Sequence, residues 1–196
     1  GETNNGDGDA FLSKFNPDGT QDWTRLLGSS RREYASASIT GLDGSIYIAG
    51  YTKGDLDGQS QYGGYDAFLS KFNPDGTKGW TRVFGTSREE VGVDLTVGID
   101  GSIYFAGNTK GNLDSQTNNG NNDAFLSKFN PDGTKEWTKL LGTSGSDSVS
   151  ALTTGLDGSI YISGTSNGDL DSQTNNGNDD AFLSKFNPDG TKEWTK

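Results

Sequence analysis

The chain has 196 residues and contains no His, Cys or Met. It therefore lacks the commonest general base and metal ligand, the thiolate nucleophile and any disulfide framework. Its formal net charge of −11 would repel a nucleic-acid backbone or an anionic membrane surface, and no apolar run is as long as a transmembrane helix. Nucleic acid is therefore not an expected partner, and membrane insertion is not expected either.

An internal repeat dominates the sequence. The twelve residues DAFLSKFNPDGT occur unchanged at 9–20, 66–77, 123–134 and 180–191, so the period is 57 residues. Repetition at a fixed period is the sequence signature of repeat architectures. The Phe, Tyr and Trp residues recur with this period and predict an aromatic core, although only 29% of the chain is hydrophobic. Because the chain begins and ends in mid-repeat, we expect it to be a fragment of a larger propeller or array.

The elements follow the same order in every period. In the last period the predicted strands are 148–155, 159–165, 181–186 and 192–196. The first turn contains Asp157-Gly158, a pair that favours a type I′ hairpin, and a polar loop follows the second strand. The third turn has Pro188 at its first central position and Gly190 where φ should be positive. The glycines predicted to have positive φ are Gly19, Gly44, Gly76, Gly101, Gly133, Gly158 and Gly190.

Four antiparallel strands in each period predict one β-propeller blade per 57-residue repeat. In the first copy of the third strand, Phe11 and Phe15 point to one face whereas Ala10 and Leu12 point to the other. Apolar groups on both faces are what stacked blades require. A calcium-binding β-roll, suggested by residues 177–182, is the alternative, but its nonapeptide period is absent.

The predicted fold is therefore all-β, with three full blades and a half blade formed by the last two strands of a repeat. We expect a single β-propeller region over residues 1–196. Its predicted parts are a partial blade at 1–27 and full blades at 33–84, 90–141 and 147–196.

Three segments carry a resemblance to a known family. They are GSIYISGT at 158–165, DAFLSKFNPDG at 180–190 and WTKLLG at 137–142. The repeat resembles the bacterial seven-bladed-propeller-type repeat, often written SBBP, although Gly-Thr or Gly-Ser stands here where that family usually has Gly-Gly. The resemblance implies a bacterial propeller, commonly exported or linked to the cell surface, that serves binding or scaffolding. It implies an extracellular or cell-surface location and no particular ligand.

The repeats differ most in two kinds of loop. These are the loops between the second and third strands and the corners between one period and the next. In propeller geometry both emerge on the same face, and variation on loops of a rigid scaffold is how binding sites are built, although drift in unconstrained loops would look the same. The side chains predicted to contact a ligand or partner are Arg31, Arg32, Tyr62, Tyr65 and Arg88.

Acidic residues in the loops suggest an alternative role in metal binding. Asp169, Asp171, Asp179 and Asp180 could gather oxygen ligands for Ca²⁺, which takes about six to eight of them. Thr174 stands where an EF-hand loop has Gly, so a solvated loop is the favoured interpretation and no cofactor is expected.

We expect three other sets of repeated residues to have structural roles. We expect the aspartate before each third strand to fix the loop exit by accepting backbone N–H bonds. We expect the third-strand lysines to form salt bridges and the fourth-strand tryptophans to cover the rim of the core rather than to stack on sugars. These residues are Asp9, Asp66, Asp123 and Asp180; Lys14, Lys71, Lys128 and Lys185; and Trp23, Trp80, Trp137 and Trp194.

The sequence predicts a non-enzymatic scaffold or binding module. The alternative is a lectin-like carbohydrate-binding module, assisted by Ca²⁺. An enzyme is the third hypothesis, but the innermost strands offer mainly Ser, Thr, Ala, Val and Ile, with Asp94 as the exception. An arc of blades leaves two apolar faces open, so the expected partners are a second copy or further blades of the parent chain, besides a protein or glycan ligand.

Overall fold

The computed structural model describes residues 3–196. This part of the chain contains β strands and no helix long and apolar enough to cross a membrane. The strands are β1 (Ala10–Phe15), β2 (Gln21–Leu27), β3 (Glu33–Thr40), β4 (Ile46–Thr52), β5 (Asp66–Phe72), β6 (Lys78–Phe84), β7 (Glu90–Val97), β8 (Ile103–Thr109), β9 (Asp123–Phe129), β10 (Lys135–Leu141), β11 (Asp147–Thr154), β12 (Ile160–Ser166), β13 (Asp180–Phe186) and β14 (Lys192–Thr195).

The strands form four antiparallel sheets. β1 and β2 make a two-stranded half blade, and β3–β6, β7–β10 and β11–β14 make blades 1, 2 and 3, each with its four strands paired in chain order. We call the strands of a blade A to D in that order. The A strand of blade 2 contacts the A strands of blades 1 and 3, so successive blades stack side by side. The predicted all-β propeller of four-stranded blades is confirmed.

The hydrophobic core lies at the junctions between blades. Every residue of β9 is buried, because both faces of this C strand are covered. Ala124 and Leu126 pack against blade 3, whereas Phe125 and Phe129 pack against blade 1. The prediction that the C strand carries apolar groups on both faces is therefore confirmed.

The outermost sheets expose the surfaces that the internal junctions bury. Phe11 and Phe15 of the half blade are 64% and 61% exposed, whereas their equivalents in blade 2, Phe125 and Phe129, are 0% and 1% exposed. At the other end of the arc, Leu183 of blade 3 is 40% exposed. Within residues 3–196 no blade covers these two faces.

The tight turns explain the regular spacing of the glycines. All seven predicted glycines have positive φ, between 77° and 86°. In the first A–B turn, the Gly44 N–H donates to the Gly41 carbonyl at 3.0 Å, and the C–D turns repeat this pattern. A residue with a Cβ would be strained in this left-handed conformation, which is why Gly recurs there.

The predicted type I′ geometry of the A–B turn is wrong. A type I′ turn needs positive φ at both central residues, but Asp157 does not have it. Instead Leu156 and Asp157 form a type I turn and Gly158 follows in the left-handed region, which is a three-residue hairpin loop. The Asp157 side chain accepts the Ser159 N–H at 3.1 Å and so holds this conformation.

Type I′ turns occur in the B–C loops instead. Leu56 and Gln59 exchange two backbone hydrogen bonds, of 3.0 and 2.9 Å, around a two-residue turn. The central pairs and their φ values are Asp57 (52°) and Gly58 (74°), Asp114 (50°) and Ser115 (62°), and Asp171 (51°) and Ser172 (65°). The first residue is fixed by strand D of its own blade, since the Asp57 carboxylate bonds to Lys78 and Thr81.

Candidate functional site

The variable loops of the chain form one face. We call it the loop face and define it by the D–A corners at 28–32, 85–89 and 142–146 and the B–C loops at 53–65, 110–122 and 167–179. A D–A corner is bonded to the B–C loops on both sides of it. The Gly64 N–H donates to the Arg88 carbonyl at 2.9 Å, and the Lys110 N–H donates to the Glu89 carbonyl at 2.9 Å.

The first residue of each A strand holds the corner that precedes it. Glu90 Oε2 accepts the Thr86 N–H at 2.5 Å, and Oε1 accepts the hydroxyls of Thr86 and Thr109 at 2.9 and 2.7 Å. Glu33 and Asp147 make the same kinds of contact in their own blades. The backbone of the corner is therefore fixed by a buried carboxylate.

The first residue of each C strand holds the exit of the B–C loop. Asp123 Oδ2 accepts the Asn119 N–H at 2.9 Å, and Asp180 Oδ2 accepts the Asn176 N–H at 2.7 Å. Asp9 and Asp66 make the equivalent bond. The predicted role of these aspartates in fixing the loop exit is confirmed.

Three tyrosines of blade 1 form an aromatic cluster on the loop face. The rings of Tyr34 and Tyr51 are stacked with centroids 4.9 Å apart, and Tyr65 meets Tyr51 edge-on at 5.1 Å. Lys53 Nζ lies 4.5 Å from the centre of the Tyr65 ring, and Arg32 Nη1 donates to the Tyr34 hydroxyl at 3.4 Å. Burial raises the pKa of the Tyr51 hydroxyl, and its two tyrosine neighbours raise it further. We call Tyr34, Tyr51 and Tyr65 the tyrosine cluster.

The cluster has no counterpart in the other blades. The equivalent positions hold Val91, Asn108 and Asn122 in blade 2 and Ser148, Thr165 and Asp179 in blade 3. In blade 2 the two amides join neighbouring blades instead: Asn108 Oδ1 accepts the Val149 N–H at 2.8 Å, and Asn122 Nδ2 donates to the Asp147 carbonyl at 3.0 Å.

A polar pocket of about 550 Å³ lies between the D–A corner and the B–C loop of blade 2. Its lining includes Ser87, Arg88, Lys110, Asn112, Asn118 and Asn121. The Lys110 ammonium pairs with Glu89 at 2.6 Å. Among residues 3–196 no carboxylate pairs with Arg88, so this guanidinium can donate to a ligand.

The structure places three of the five predicted contact residues at these two surfaces. Arg32 and Tyr65 belong to or touch the tyrosine cluster, and Arg88 lines the polar pocket. Tyr62 is 63% exposed, and Arg31 is exposed with its N–H bonded to Ser29. Tyr34, Tyr51 and Lys53 were missed by sequence reasoning. The signal for the two tyrosines is a coordinated change between the aligned repeats at positions 32, 34, 51 and 65, whereas Lys53 is matched by Lys110 in blade 2.

The four aspartates proposed for Ca²⁺ each bind a separate donor. The donors are the Asn175 N–H for Asp169, Lys192 and Thr195 for Asp171, Asn167 Nδ2 for Asp179 and the Asn176 N–H for Asp180. In the part of the chain that the structure describes, no group of three or more acidic side chains could hold a metal ion. The structure therefore gives these carboxylates loop-fixing contacts.

The repeated lysines form the predicted salt bridges on their strands. The pairs and their N–O distances are Lys14–Asp22 (2.8 Å), Lys71–Asp43 (3.0 Å), Lys128–Glu136 (3.0 Å) and Lys185–Glu193 (2.8 Å). They lie on the C strands, each is paired with a carboxylate, and Lys128 is buried.

The tryptophan rings are covered by the next blade. A Cβ atom built on Gly133 would lie 2.8 Å from Trp80 Cδ2, so the C–D turn of blade 2 rests directly on this ring. Trp80 Nε1 donates to the Pro131 carbonyl of the same turn at 3.2 Å. Trp23 and Trp137 are covered by equivalent glycines. These three rings serve the blade junctions and are not free to stack on a sugar.

Comparison with family models agrees with this architecture. Residues 136–171 match the SBBP model, described as a beta-propeller repeat, and residues 100–136 match a beta-propeller domain of unknown function, DUF5122. Residues 136–171 are therefore an SBBP β-propeller repeat. The resemblance expected from the D-A-F-x-x-K-x-N-P-x-G motif is thereby confirmed.

Two longer proteins are similar to this chain. The regulatory protein FlaEY of Caulobacter vibrioides is 31% identical over 173 residues, which cover 78% of this chain and 18% of that protein. The chain thus spans less than a fifth of the length of this curated relative. A solved structure of a protein of unknown function from Bacteroides caccae superposes with a TM-score of 0.51 at 11% identity, over 93% of this chain and 52% of that one. This second likeness supports the fold alone.

Proposed function

We propose that this propeller segment is a non-enzymatic binding and scaffold module whose ligand or partner contacts the loop face of blades 1 and 2. The observation that carries the proposal is the coordinated change at positions 32, 34, 51 and 65. The C strands and the Pro-Asp-Gly turns stay constant between repeats, whereas these four positions change together and meet in one place. Coordinated change at one spot on a rigid scaffold favours a built site over independent drift.

The chemistry of the two surfaces suits a polar partner with flat apolar parts. Tyrosine rings offer rigid contact area with a hydroxyl at the edge, and they are enriched at binding interfaces. Arg32 and Lys53 border the rings and Arg88 opens into the neighbouring pocket, so hydroxyl or carboxylate groups of the partner would find donors there.

We place this module in a longer bacterial protein that is secreted or held at the cell surface. The short fraction of FlaEY that the chain spans supports a longer parent protein, and the family resemblance supports the location. FlaEY is itself described as a regulatory protein, and a regulatory parent is consistent with a module that binds a partner.

A lectin-like function is the second candidate. The amide and hydroxyl groups of the pocket at Ser87, Asn112, Asn118 and Asn121 favour it, because sugars are bound through such donors and acceptors. We place no Ca²⁺ at Asp169, since this aspartate has its own loop contact.

The proposal is tested by measuring how two variants bind to a glycan array and to acidic polysaccharides. The triple variant Tyr34→Ser, Tyr51→Thr, Tyr65→Asp gives blade 1 the residues that blade 3 already carries at these positions. The control, Leu42→Ile, makes the equivalent exchange with blade 2 on the opposite face. We expect the triple variant to lose binding and the control to keep it. Loss in both, or in neither, contradicts a site at the tyrosine cluster, and loss on chelation alone favours the Ca²⁺-assisted lectin.

We also propose that the open face at Phe11 and Phe15 is covered by the Ala/Leu face of another blade. Each junction inside the chain packs a Phe face against an Ala/Leu face. At the junction of blades 2 and 3, Phe182 and Phe186 of blade 3 pack against Ala124 and Leu126 of blade 2. The covering blade belongs to the parent protein or, when this chain is alone, to a second copy.

A further inference from the structure

Two carboxyl groups meet inside a blade junction. Between blades 1 and 2 they are Asp66, which begins β5, and Glu90, which begins β7, and both are 0% exposed. They converge on Gly85: a Cβ atom built there would lie 2.4 Å from Asp66 Oδ1 and 2.8 Å from Glu90 Oε2. The glycine leaves room for the two carboxyl groups.

The two groups differ in their hydrogen bonds. Both oxygens of Glu90 accept bonds, from the Thr86 N–H and from the hydroxyls of Thr86 and Thr109. Asp66 Oδ2 accepts the Tyr62 N–H, but Oδ1 is buried and has no hydrogen-bond partner. A buried acceptor without a donor is rare in folded proteins and calls for an explanation. A proton on Asp66 Oδ1 would turn this unpaired acceptor into a donor.

The aspartate, its unpaired oxygen and the glycine recur at the other two junctions of the described chain. Asp9 and Asp123 occupy the position of Asp66, and in both the Oδ1 atom is buried without a partner. Gly28 and Gly142 take the place of Gly85, with the aspartate carboxyl against the glycine each time. The acids that begin the next A strands are Glu33 and Asp147. Three unpaired oxygens at three equivalent positions indicate a built feature rather than an isolated defect.

The charges around the pair disfavour ionisation of both groups. Burial raises the pKa of Asp66 to about 6. The Tyr62 and Gly63 N–H groups oppose this rise in part, and the Glu90 charge reinforces it. Burial and then the Asp147 charge raise the pKa of Asp123 likewise. Glu90, from β7, is the charged group that acts on Asp66, and among residues 3–196 neither carboxylate has a salt-bridge partner. Two like charges brought together out of water leave one proton bound.

We propose that the two junctions between full blades are proton-binding sites, in which the aspartate that begins one C strand keeps its proton and faces the acid that begins the next A strand. The site lies directly under the loop face. Asp66 holds the exit of the B–C loop that carries Tyr62 and Tyr65, and Glu90 holds the corner that carries Arg88. Loss of the proton places two charges between the segments that position the proposed ligand contacts, so a rise in pH loosens this part of the loop face.

The sign of the effect follows from the raised pKa. The unfolded value is near 3.8, so the protonated folded form is favoured at low pH, and the stability that it contributes falls as the pH rises from 3.8 through about 6. A shift of this size corresponds to a change of about 100-fold in the ratio of folded to unfolded protein.

The test compares Asp66→Asn with Asp180→Asn by thermal unfolding between pH 4 and 8. Asparagine keeps the acceptor for the Tyr62 N–H and places an amide donor where the proton is proposed. Asp180 is the matched control, because it makes the same loop contact while no blade faces it within the described residues. We expect Asp66→Asn to match the wild type at pH 4 and to unfold at a higher temperature at pH 7.5. Asp180→Asn should not show this rise in unfolding temperature at pH 7.5.

A second measurement tests the proton itself. The infrared carbonyl band of protonated carboxylic acid should persist in the wild-type protein at pH 5 and lose intensity in Asp66→Asn. Equal pH profiles of Asp66→Asn and the wild type overturn the proposal. A rise of the wild-type unfolding temperature with CaCl₂ at pH 7.5, absent in Asp66→Asn, overturns it too, because a cation and not a proton would then neutralise the pair.

Discussion

The B–C turns allow the cost of a left-handed residue to be measured inside one chain. Blade 1 has Gly58 at the second turn position with a φ of 74°, whereas blade 2 has Ser115 with a φ of 62°. Nothing lies within 4 Å of a Cβ atom built on Gly58, so a side chain there meets no steric obstacle. Ser115 is exposed. The exchange of Gly and Ser at these positions therefore changes the backbone preference and little else.

We expect Ser115→Gly to stabilise the protein and Gly58→Ser to destabilise it by a similar amount. A residue with a Cβ costs about 1–2 kcal/mol in the left-handed region. Glycine loses about 0.5–1 kcal/mol more than alanine in conformational entropy on folding. The difference leaves about 0.5–1 kcal/mol in favour of Gly, which for a chain of this size corresponds to about 1–4 °C in the unfolding temperature.

Urea unfolding of the two variants beside Ser115→Ala measures this difference. Alanine keeps the Cβ and removes only the hydroxyl, so its free energy of unfolding should stay close to that of the wild type. The reasoning is refuted if Ser115→Ala stabilises as much as Ser115→Gly, since the hydroxyl and not the backbone would then be responsible. It also fails if Gly58→Ser is neutral.

Three further predictions address the junctions, the open face and metal binding. Gly133→Ala should destabilise the protein by at least about 1 kcal/mol more than Gly19→Ala, as measured by urea unfolding. Both glycines have positive φ, but only a Cβ on Gly133 meets a ring, that of Trp80. Light scattering at micromolar concentration should give a mass above the 20.8 kDa monomer, and Phe11→Ser with Phe15→Ser should restore the monomer; a monomeric wild type contradicts the proposed covering of this face. EDTA should leave the unfolding temperature unchanged, and a fall of many degrees would support a structural Ca²⁺.

The blade architecture could be predicted because the repeated motif occurs four times with the same spacing. The 57-residue spacing, the two-faced C strand and the Pro-Asp-Gly turns all indicate the same fold. The turn type was harder to predict. The tripeptide Leu-Asp-Gly occurs at 42–44 as a type I turn with a left-handed glycine and at 56–58 as part of a type I′ turn. Local sequence cannot separate the two, since contacts with strand D fix Asp57.

The site was predicted only in part, for a related reason. Tyr65 and Arg32 lie in loops, where variation is read as a sign of contact with a partner. Tyr34 and Tyr51 lie within strands β3 and β4, where alternation assigns aromatic residues to the core. Only the comparison of equivalent positions between blades shows that these two strand residues vary together with the loops.

The contacts of the loop face explain how its side chains can vary while its backbone stays in place. The Gly64 N–H donates to the Arg88 carbonyl at 2.9 Å, and at the next junction the Asn121 N–H donates to the Gly145 carbonyl at 2.8 Å. These are equivalent bonds made by different residue types. The corner acids also bind backbone N–H groups and the constant Ser or Thr hydroxyl, and they do not bind the variable side chains. Because backbone atoms and buried carboxyl groups position the loops, substitution at the surface leaves the scaffold unchanged, and a new contact surface can form on one blade alone.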